Sequence, residues 1–417
     1  MRSTSVITAI VGIGLLYGSA HAQDWPQWRG PNRDAKATFT APKEWPKELT
    51  HKWKVAVGEG VATPALVGDK LYVFTRQGAD EVILSLNAAD GKEIWKDKYP
   101  ASAPIKPGSG FNMEFVGPRG SPAVAEGKLV ALGASGTLSC LNAADGKVAW
   151  RKTNDNNHPM FFTSCSPIIV NGLTIVQMGN EKSGAIVAYN LSDGSEKWKW
   201  AGDGTDYASP ITATLGDVKT IVAETDEKIV GLNAADGKLI WEAPFPKPGR
   251  AYNACTPVVD GQAFVISGVG RGTKALKVEK SGDSYKSKEL WVNKENAVQF
   301  NSPVVKDGAV YGMTINNVWF CINAESGKTA WTAPAPTAGG GKGGRGLSGF
   351  GSVVDAGTVL FGLTPAGKLV VFQPSEKEFK ALATYTVASG DTYAYPIISG
   401  NRIFIKDKDS LTLWTVE

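Results

Sequence analysis

The chain has 417 residues, of which 42% are hydrophobic and 20% charged, with 48 glycines. That is ample material for a packed core, and the glycine load suits many turns rather than disorder. A formal net charge of +4 is small for this length and gives no support to nucleic-acid binding, which needs a clustered basic face.

At the N-terminus Arg2 precedes an apolar run over residues 6–16 and then Ser19-Ala20-His21-Ala22. A positive start, a short hydrophobic stretch and an Ala-x-Ala site predict a cleavable signal peptide over 1–22, with the mature chain beginning at Gln23. The run is too short to span a bilayer, and no other apolar segment could do so. No cysteine follows it to carry a lipid anchor. A periplasmic or secreted protein is expected.

Residues 23–48 form a Trp/Pro-rich segment, Asp24-Trp25-Pro26-Gln27-Trp28-Arg29-Gly30-Pro31-Asn32-Arg33, with Trp45 between Glu44 and Pro46. Two indoles left free would expose a large apolar area, so the segment is expected to pack on the rest of the chain as a clip. The other reading is a docking peptide for a partner.

From residue 49 onward the chain repeats. Asn-Ala-Ala-Asp-Gly-Lys-x-x-Trp occurs unchanged at 87–95, 142–150 and 233–241. A hydroxyl residue followed by proline recurs at Thr63-Pro64, Ser121-Pro122, Ser166-Pro167, Ser209-Pro210, Thr256-Pro257 and Ser302-Pro303. Each copy reads as four short strands. In the second, residues 121–125, 128–132, 137–142 and 148–152 alternate with turns at Glu126-Gly127, Ser135-Gly136 and Asp145-Gly146. First strands fall near Ala62, Ser121, Ser166, Ser209, Thr256, Ser302, Ser352 and Tyr395. Eight copies of about 50 residues predict an all-β, eight-bladed propeller over 49–417. The last copy lacks a fourth strand, and residues 49–57 are expected to supply it, closing the ring.

Trp53, Trp95, Trp150, Trp198, Trp241, Trp291 and Trp331 recur on outer strands. They are expected to wedge between blades with the indole N–H on a carbonyl. In the seventh copy Pro374-Ser375-Glu376-Lys377 replaces the Asp-Gly turn and Tyr385 is the nearest aromatic, so that blade is expected to pack less tightly. Cys140 and Cys321 fall on third strands of opposite blades and are expected to be buried thiols. Cys165 and Cys255 precede hydroxyl-proline marks and could pair only across the fourth blade.

These motifs resemble the pyrroloquinoline-quinone-like repeat family, eight-bladed propellers that include quinoprotein alcohol dehydrogenases and BamB-type outer-membrane-assembly scaffolds. The resemblance covers about 49–417, and the Trp-Pro-x-Trp-Arg-Gly-Pro opening is similar to that of exported members. It implies the fold; one propeller serves several functions.

Function on such a ring is expected where the loops joining the fourth strand of one blade to the first of the next emerge. Three of these loops are long: 100–120, 153–164 and 334–349. The first carries Lys106, Phe111, Met113, Phe115 and Arg119, the second His158, Met160, Phe161 and Phe162, and the third Lys342 and Arg345. Phe111, Met113, Phe115, Met160, Phe161, Phe162, Lys342 and Arg345 form the candidate partner surface, unless the aromatics fold inward to plug the channel. Arg119, Cys165, Tyr207, Asn253, Phe300, Asn301 and Tyr393 precede first strands and are expected to line the channel mouth. The glycine tract around Lys342 is not a phosphate loop, since no Ser or Thr follows the lysine at a helix start.

Quinoprotein relatives hold their quinone over a tryptophan floor, with a disulfide between adjacent cysteines, a calcium and an aspartate base. Here no cysteines are adjacent, and the spare tryptophans Trp319, Trp414 and Trp200 match no floor motif. After residue 22 the histidines are His51 and His158, too few for a histidine-based zinc site. No catalytic, cofactor or metal residue is assigned. The expectation is a monomeric binding or scaffold protein for envelope or secreted proteins. The alternatives are a dehydrogenase using pyrroloquinoline quinone (PQQ) with calcium, or a carbohydrate-binding propeller.

Overall fold

A computed structural model describes residues 23–101, 117–153, 157–249, 251–282, 284–336 and 349–417. They form eight four-stranded antiparallel sheets, the blades of a propeller. Each blade runs outward from strand A to strand D in chain order. In blade two these are Ala123–Ala125, Lys128–Leu132, Leu138–Asn142 and Val148–Lys152. Strand A starts two residues later than the repeat suggested, because Pro122 has no N–H to offer a ladder.

Blade eight is composite. Ile397–Ser399, Arg402–Lys406 and Ser410–Thr415 supply its inner strands, and Thr50–Ala56 its outer one, with Lys54 opposite Thr412 and Val55 opposite Leu411. The two ends of the propeller thus share one sheet and leave no open radial edge. Beside this seam the buried Lys406 ammonium donates to the carbonyls of Gly58, Gly60, Asp407 and Lys408 at 2.8–3.3 Å.

The recurring Asp-Gly turn and tryptophan are two halves of one lock. The turn glycine adopts positive φ, 73° at Gly146, and lies flat against the preceding blade's indole. Gly91 covers Trp53, Gly146 Trp95, Gly194 Trp150, Gly237 Trp198 and Gly327 Trp291. A side chain there would strike the ring as well as strain the backbone. Each indole N–H then donates to a carbonyl beside that turn: Trp95 to Ala143 (3.2 Å), Trp150 to Leu191 (3.0 Å), Trp198 to Ala234 (3.1 Å) and Trp291 to Ala324 (2.6 Å). A bulge in the C–D pairing aims the tryptophan, as between Cys140 and Leu141.

Two blades depart from this scheme. Blade seven does not pack loosely: Trp331 donates to Ser375 at 2.7 Å, Phe379 fills in at 5.4 Å, and buried Tyr385 donates to the Pro46 carbonyl. The irregular blade is the fifth, whose outer hairpin, Gly272–Ser281 and Ser284–Asn293, is ten residues a side and has no Asp-Gly turn. Trp241, which faces it, buries its indole N–H without a partner among the described residues.

All four cysteines are free and buried, and burial pushes the thiols up, Cys165 to about 11 and Cys255 to about 12. The pairing of Cys165 with Cys255 is therefore not made. Cys165 packs between blades two and three with Val130, Leu132 and Val176.

Candidate functional site

The hydroxyl-proline marks sit where strand A begins, around the neck of the central channel. There the backbone N–H of one mark donates to the hydroxyl of the next. Thr63 bonds Ser121 (3.1 Å), Ser121 bonds Ser166, Ser166 bonds Ser209 and Thr256 bonds Ser302 (each 2.9 Å). Blade seven has Ser352-Val353 instead, and the belt skips it: Ser302 N–H reaches the Tyr395 hydroxyl (3.0 Å), and Tyr395 N–H returns to Thr63 (2.9 Å). The small hydroxyl recurs because it bridges blades, and the proline because nothing there needs its N–H.

One end of the channel is filled. Residues 23–37 enter from the face of the A–B turns, where Gly68 N–H meets the Asp24 carboxylate, and touch all eight blades. Trp25 exchanges backbone bonds with Leu66, and Pro26 accepts from Val124. Arg33 donates to the carbonyls of Ser166, Pro167 and Pro210, and Trp28 to the Thr256 hydroxyl. Arg29 donates to Pro303, Ala35 and Ala37 bond Asp355, and Gln23 accepts from Ser399. Trp25, Arg29 and Ala35 are wholly buried.

The D–A loops ring the opposite end. Two residues before the first-strand mark of blades two to eight stand Arg119, Ser164, Tyr207, Ala254, Phe300, Phe350 and Tyr393. With Phe161 and Tyr252 the aromatics make a continuous arc. Phe161 meets Tyr252 at 5.5 Å and Tyr252 meets Tyr207 at 5.7 Å; Tyr252 stacks on Phe300 at 6.2 Å, Phe300 on Phe350 at 4.6 Å, and Phe350 meets Tyr393 edge-on at 4.5 Å. Phe161, Tyr252, Phe300 and Phe350 are half-buried, each with part of its surface open to solvent. The loops brace one another: Phe161 N–H donates to the Tyr207 hydroxyl, Tyr207 N–H to the Asn253 carbonyl, and Phe300 N–H to Gly349. Arg119 donates to the Phe161 carbonyl, and burial lowers its pKa to about 10.

Behind the arc lies a polar cluster between blades four and five. Lys247 bridges Asp206 (3.1 Å) and Asp226, while Asn253 N–H donates to Asp206 at 2.7 Å. Arg271 donates to Asn253 and lies 3.9 Å from the centre of the Phe245 ring. Burial raises Asp206 to about 6, against the opposing pull of Asn253 and Lys247. Glu224 is 0% exposed, and burial raises its pKa well above the carboxylate range.

Of the residues singled out from sequence, Phe111, Met113, Phe115, Lys342 and Arg345 lie outside the described residues. Met160 is 70% exposed at the rim. Phe161 turns inward to the arc, while the Phe162 ring lies tilted against His158, 4.5 Å between centres. Tyr207, Phe300 and Tyr393 come together in the arc. Asn253 and Asn301 are buried and spend their amides on backbone carbonyls. Sequence reasoning missed Tyr252 and Phe350; Phe350 stands at the same offset as Phe300, but its blade lacks the proline that marks the place. The spare tryptophans are engaged away from the channel: Trp319 packs on Phe372, Trp414 on His51, and Trp200 lies on the outer strand of blade three.

A family model described as outer membrane protein assembly factor BamB matches residues 79–333. BamB of Burkholderia pseudomallei is 24% identical over 300 residues, covering 68% of this chain and 69% of that one. Among solved structures, BamB from Moraxella catarrhalis superposes with a TM-score of 0.63 at 16% identity, covering 88% of this chain and 98% of the other. Quinohemoprotein alcohol dehydrogenase from Comamonas testosteroni gives 0.68 at 14% identity, covering 94% and 80%. At these identities the superpositions speak to the fold alone.

Proposed function

Because the chain belongs to the family of the outer membrane protein assembly factor BamB, we propose that it is a scaffold for envelope proteins, binding them through the D–A face. The observation that carries this reading is the aromatic arc. Six rings from six consecutive D–A loops are braced by hydrogen bonds between those loops at the end of the ring opposite residues 23–37. Rigid, part-exposed aromatics are the side chains that anchor protein interfaces, because they bring much apolar area at little entropic cost. Beyond them Met160 offers a flexible apolar contact at the rim.

In this reading residues 1–22 direct export, and the protein works as a monomer in the periplasm. Among the described residues no helix is long and apolar enough to cross a membrane. The partner is a protein of outer-membrane assembly, as the relatives' name indicates. The stacking candidates of the dehydrogenase reading are engaged elsewhere: Trp319 packs on Phe372 of the next blade, Trp414 on His51 within blade eight, and Trp200 lies on the outer strand of blade three.

The test combines Tyr252→Ala and Phe350→Ala and measures Kd for the partner captured from detergent-solubilised envelope and identified by mass spectrometry. Two anchors removed should weaken binding by roughly a hundredfold or more, with the urea midpoint little changed. Unchanged affinity with the fold intact would move the interface away from the arc.

A further inference from the structure

The neck of the channel has an unusual chemistry that follows from its prolines. Pro64, Pro122, Pro167, Pro210, Pro257, Pro303 and Pro396 recur at one level of the ring. Proline has a carbonyl but no N–H. Thr63, Ser121, Ser166 and Thr256 each spend their N–H on the next belt hydroxyl, and the Thr256 hydroxyl takes the Trp28 indole N–H. The carbonyls of Ser166, Pro167, Pro210 and Pro303 therefore face the axis as acceptors without balancing donors. A guanidinium is the complementary group, with five donors and no acceptor.

Arg29 and Arg33 supply it. Arg33 Nη1 donates to Ser166 (3.1 Å) and Pro210 (2.7 Å), its Nη2 to Pro167, and its Nε to Gln27 Oε1 (3.0 Å). Arg29 Nη2 donates to Pro303 at 2.5 Å, with the guanidinium 5.7 Å from the Tyr395 ring centre. Among the described residues no carboxylate pairs with either.

The segment that carries them joins no blade. Every sheet is complete without it, and its ladder contacts are single bridges, Trp25 to Leu66 and Lys36 to Asp355. Its backbone is bent to the cavity: Arg29, Arg33 and Ala35 all adopt φ near 60°, in the left-handed region. Such conformations are strained in a non-glycine residue, and they cluster where a chain is moulded to a site.

We propose that the channel neck is a peptide-binding site reading arginines through proline-flanked carbonyls, and that residues 23–37 are its ligand, tethered in cis. The site is independent of the D–A face. It recognises a segment of the form Trp-Pro-x-Trp-Arg-Gly-Pro-x-Arg, with Trp25 and Trp28 as apolar anchors and the arginines as the polar key. The ring is then a receptor whose occupant can be exchanged for another copy of the same peptide.

The test uses the full chain with a protease site inserted between the exposed residues Lys43 and Glu44 and cut after folding. The proposal expects fragment 23–43 to co-elute with the ring at first. An excess of fluorescent synthetic peptide 23–43 then replaces it, while the ring stays monomeric with unchanged circular dichroism. A peptide carrying Arg29→Ala and Arg33→Ala competes at least tenfold less well, and one with Arg33→Lys falls between. Unfolding of the ring as the fragment leaves makes the segment part of the fold and overturns the proposal. So does failure of the labelled peptide to enter, whether the fragment stays or departs, and so does equal competition by the arginine-free peptide.

Discussion

Removing an indole N–H should have unequal consequences at two tryptophans that the repeat treats as equivalent. Trp150 donates to Leu191 at 3.0 Å and lies beneath Gly194. Trp150→Phe keeps an aromatic wedge but leaves that carbonyl with only a weak thiol contact from Cys140, 3.7 Å away. Losing the partner of a buried acceptor costs about 1–3 kcal/mol, and the smaller ring gives up about 1 kcal/mol of apolar burial. The expected loss is about 2–4 kcal/mol. At Trp241 the indole N–H is buried with no partner among the described residues, so phenylalanine removes a desolvated orphan while surrendering the same area. The two effects offset, and Trp241→Phe should lie within about 1 kcal/mol of the parent. Urea midpoints followed by circular dichroism compare the two variants directly. Equal destabilisation would refute the reasoning, showing that ring volume rather than the hydrogen bond holds neighbouring blades together.

Deleting Thr50–Ala56 should strip the outer strand from blade eight, expose the Ser410–Thr415 edge and cost several kcal/mol; light scattering and a thermal scan would record aggregation and a lower midpoint, and an unchanged monomer would contradict the seam. Burial raises the folded pKa of Asp206 to about 6, against the ordinary carboxylate value of 3.8. The folded state therefore binds more protons between those values, and the group's contribution to stability falls as pH rises through that window and is fully lost above 6. Asp206→Asn should gain on the parent as pH goes from 4 to 7, read from urea midpoints at both; Lys406, held near 8 by burial, has the opposite slope, folded stability rising between pH 8 and 10.5 as the buried charge is relieved, and a Lys406→Met variant should lack that rise.

Much of the ring was legible because its signals are local. The Asp-Gly turn, the tryptophan four residues on and the hydroxyl-proline pair each lie within a few positions, and each has a single physical reason repeated from blade to blade. The composite last blade could be read for the same reason, since Thr50–Ala56 carries Trp53 in the outer-strand place. What stayed hidden depends on contacts remote in sequence. Arg29 meets Pro303 across 274 positions, and nothing near Arg29 announces a carbonyl-lined neck. Tyr252 and Phe350 were missed because the arc is a property of neighbouring loops in the ring: Phe350 shares its offset with Tyr207 and Phe300, while Tyr252, four residues before Thr256, does not. The packing of blade seven was misjudged because Ser375 accepts from Trp331 through its backbone, which any residue can do.

The binding face itself is open to one decisive measurement, a photoactivatable cross-linker placed at Met160, which is 70% exposed beside the arc, and separately at Leu382, 36% exposed on the outer strand of blade seven. Illumination in intact cells should join position 160 to an outer-membrane assembly protein, and substitution of Tyr252 and Phe350 by alanine should abolish that product while position 382 yields none. The same adduct from position 382, or one from position 160 that survives loss of the aromatics, would contradict a scaffold that works through its D–A face.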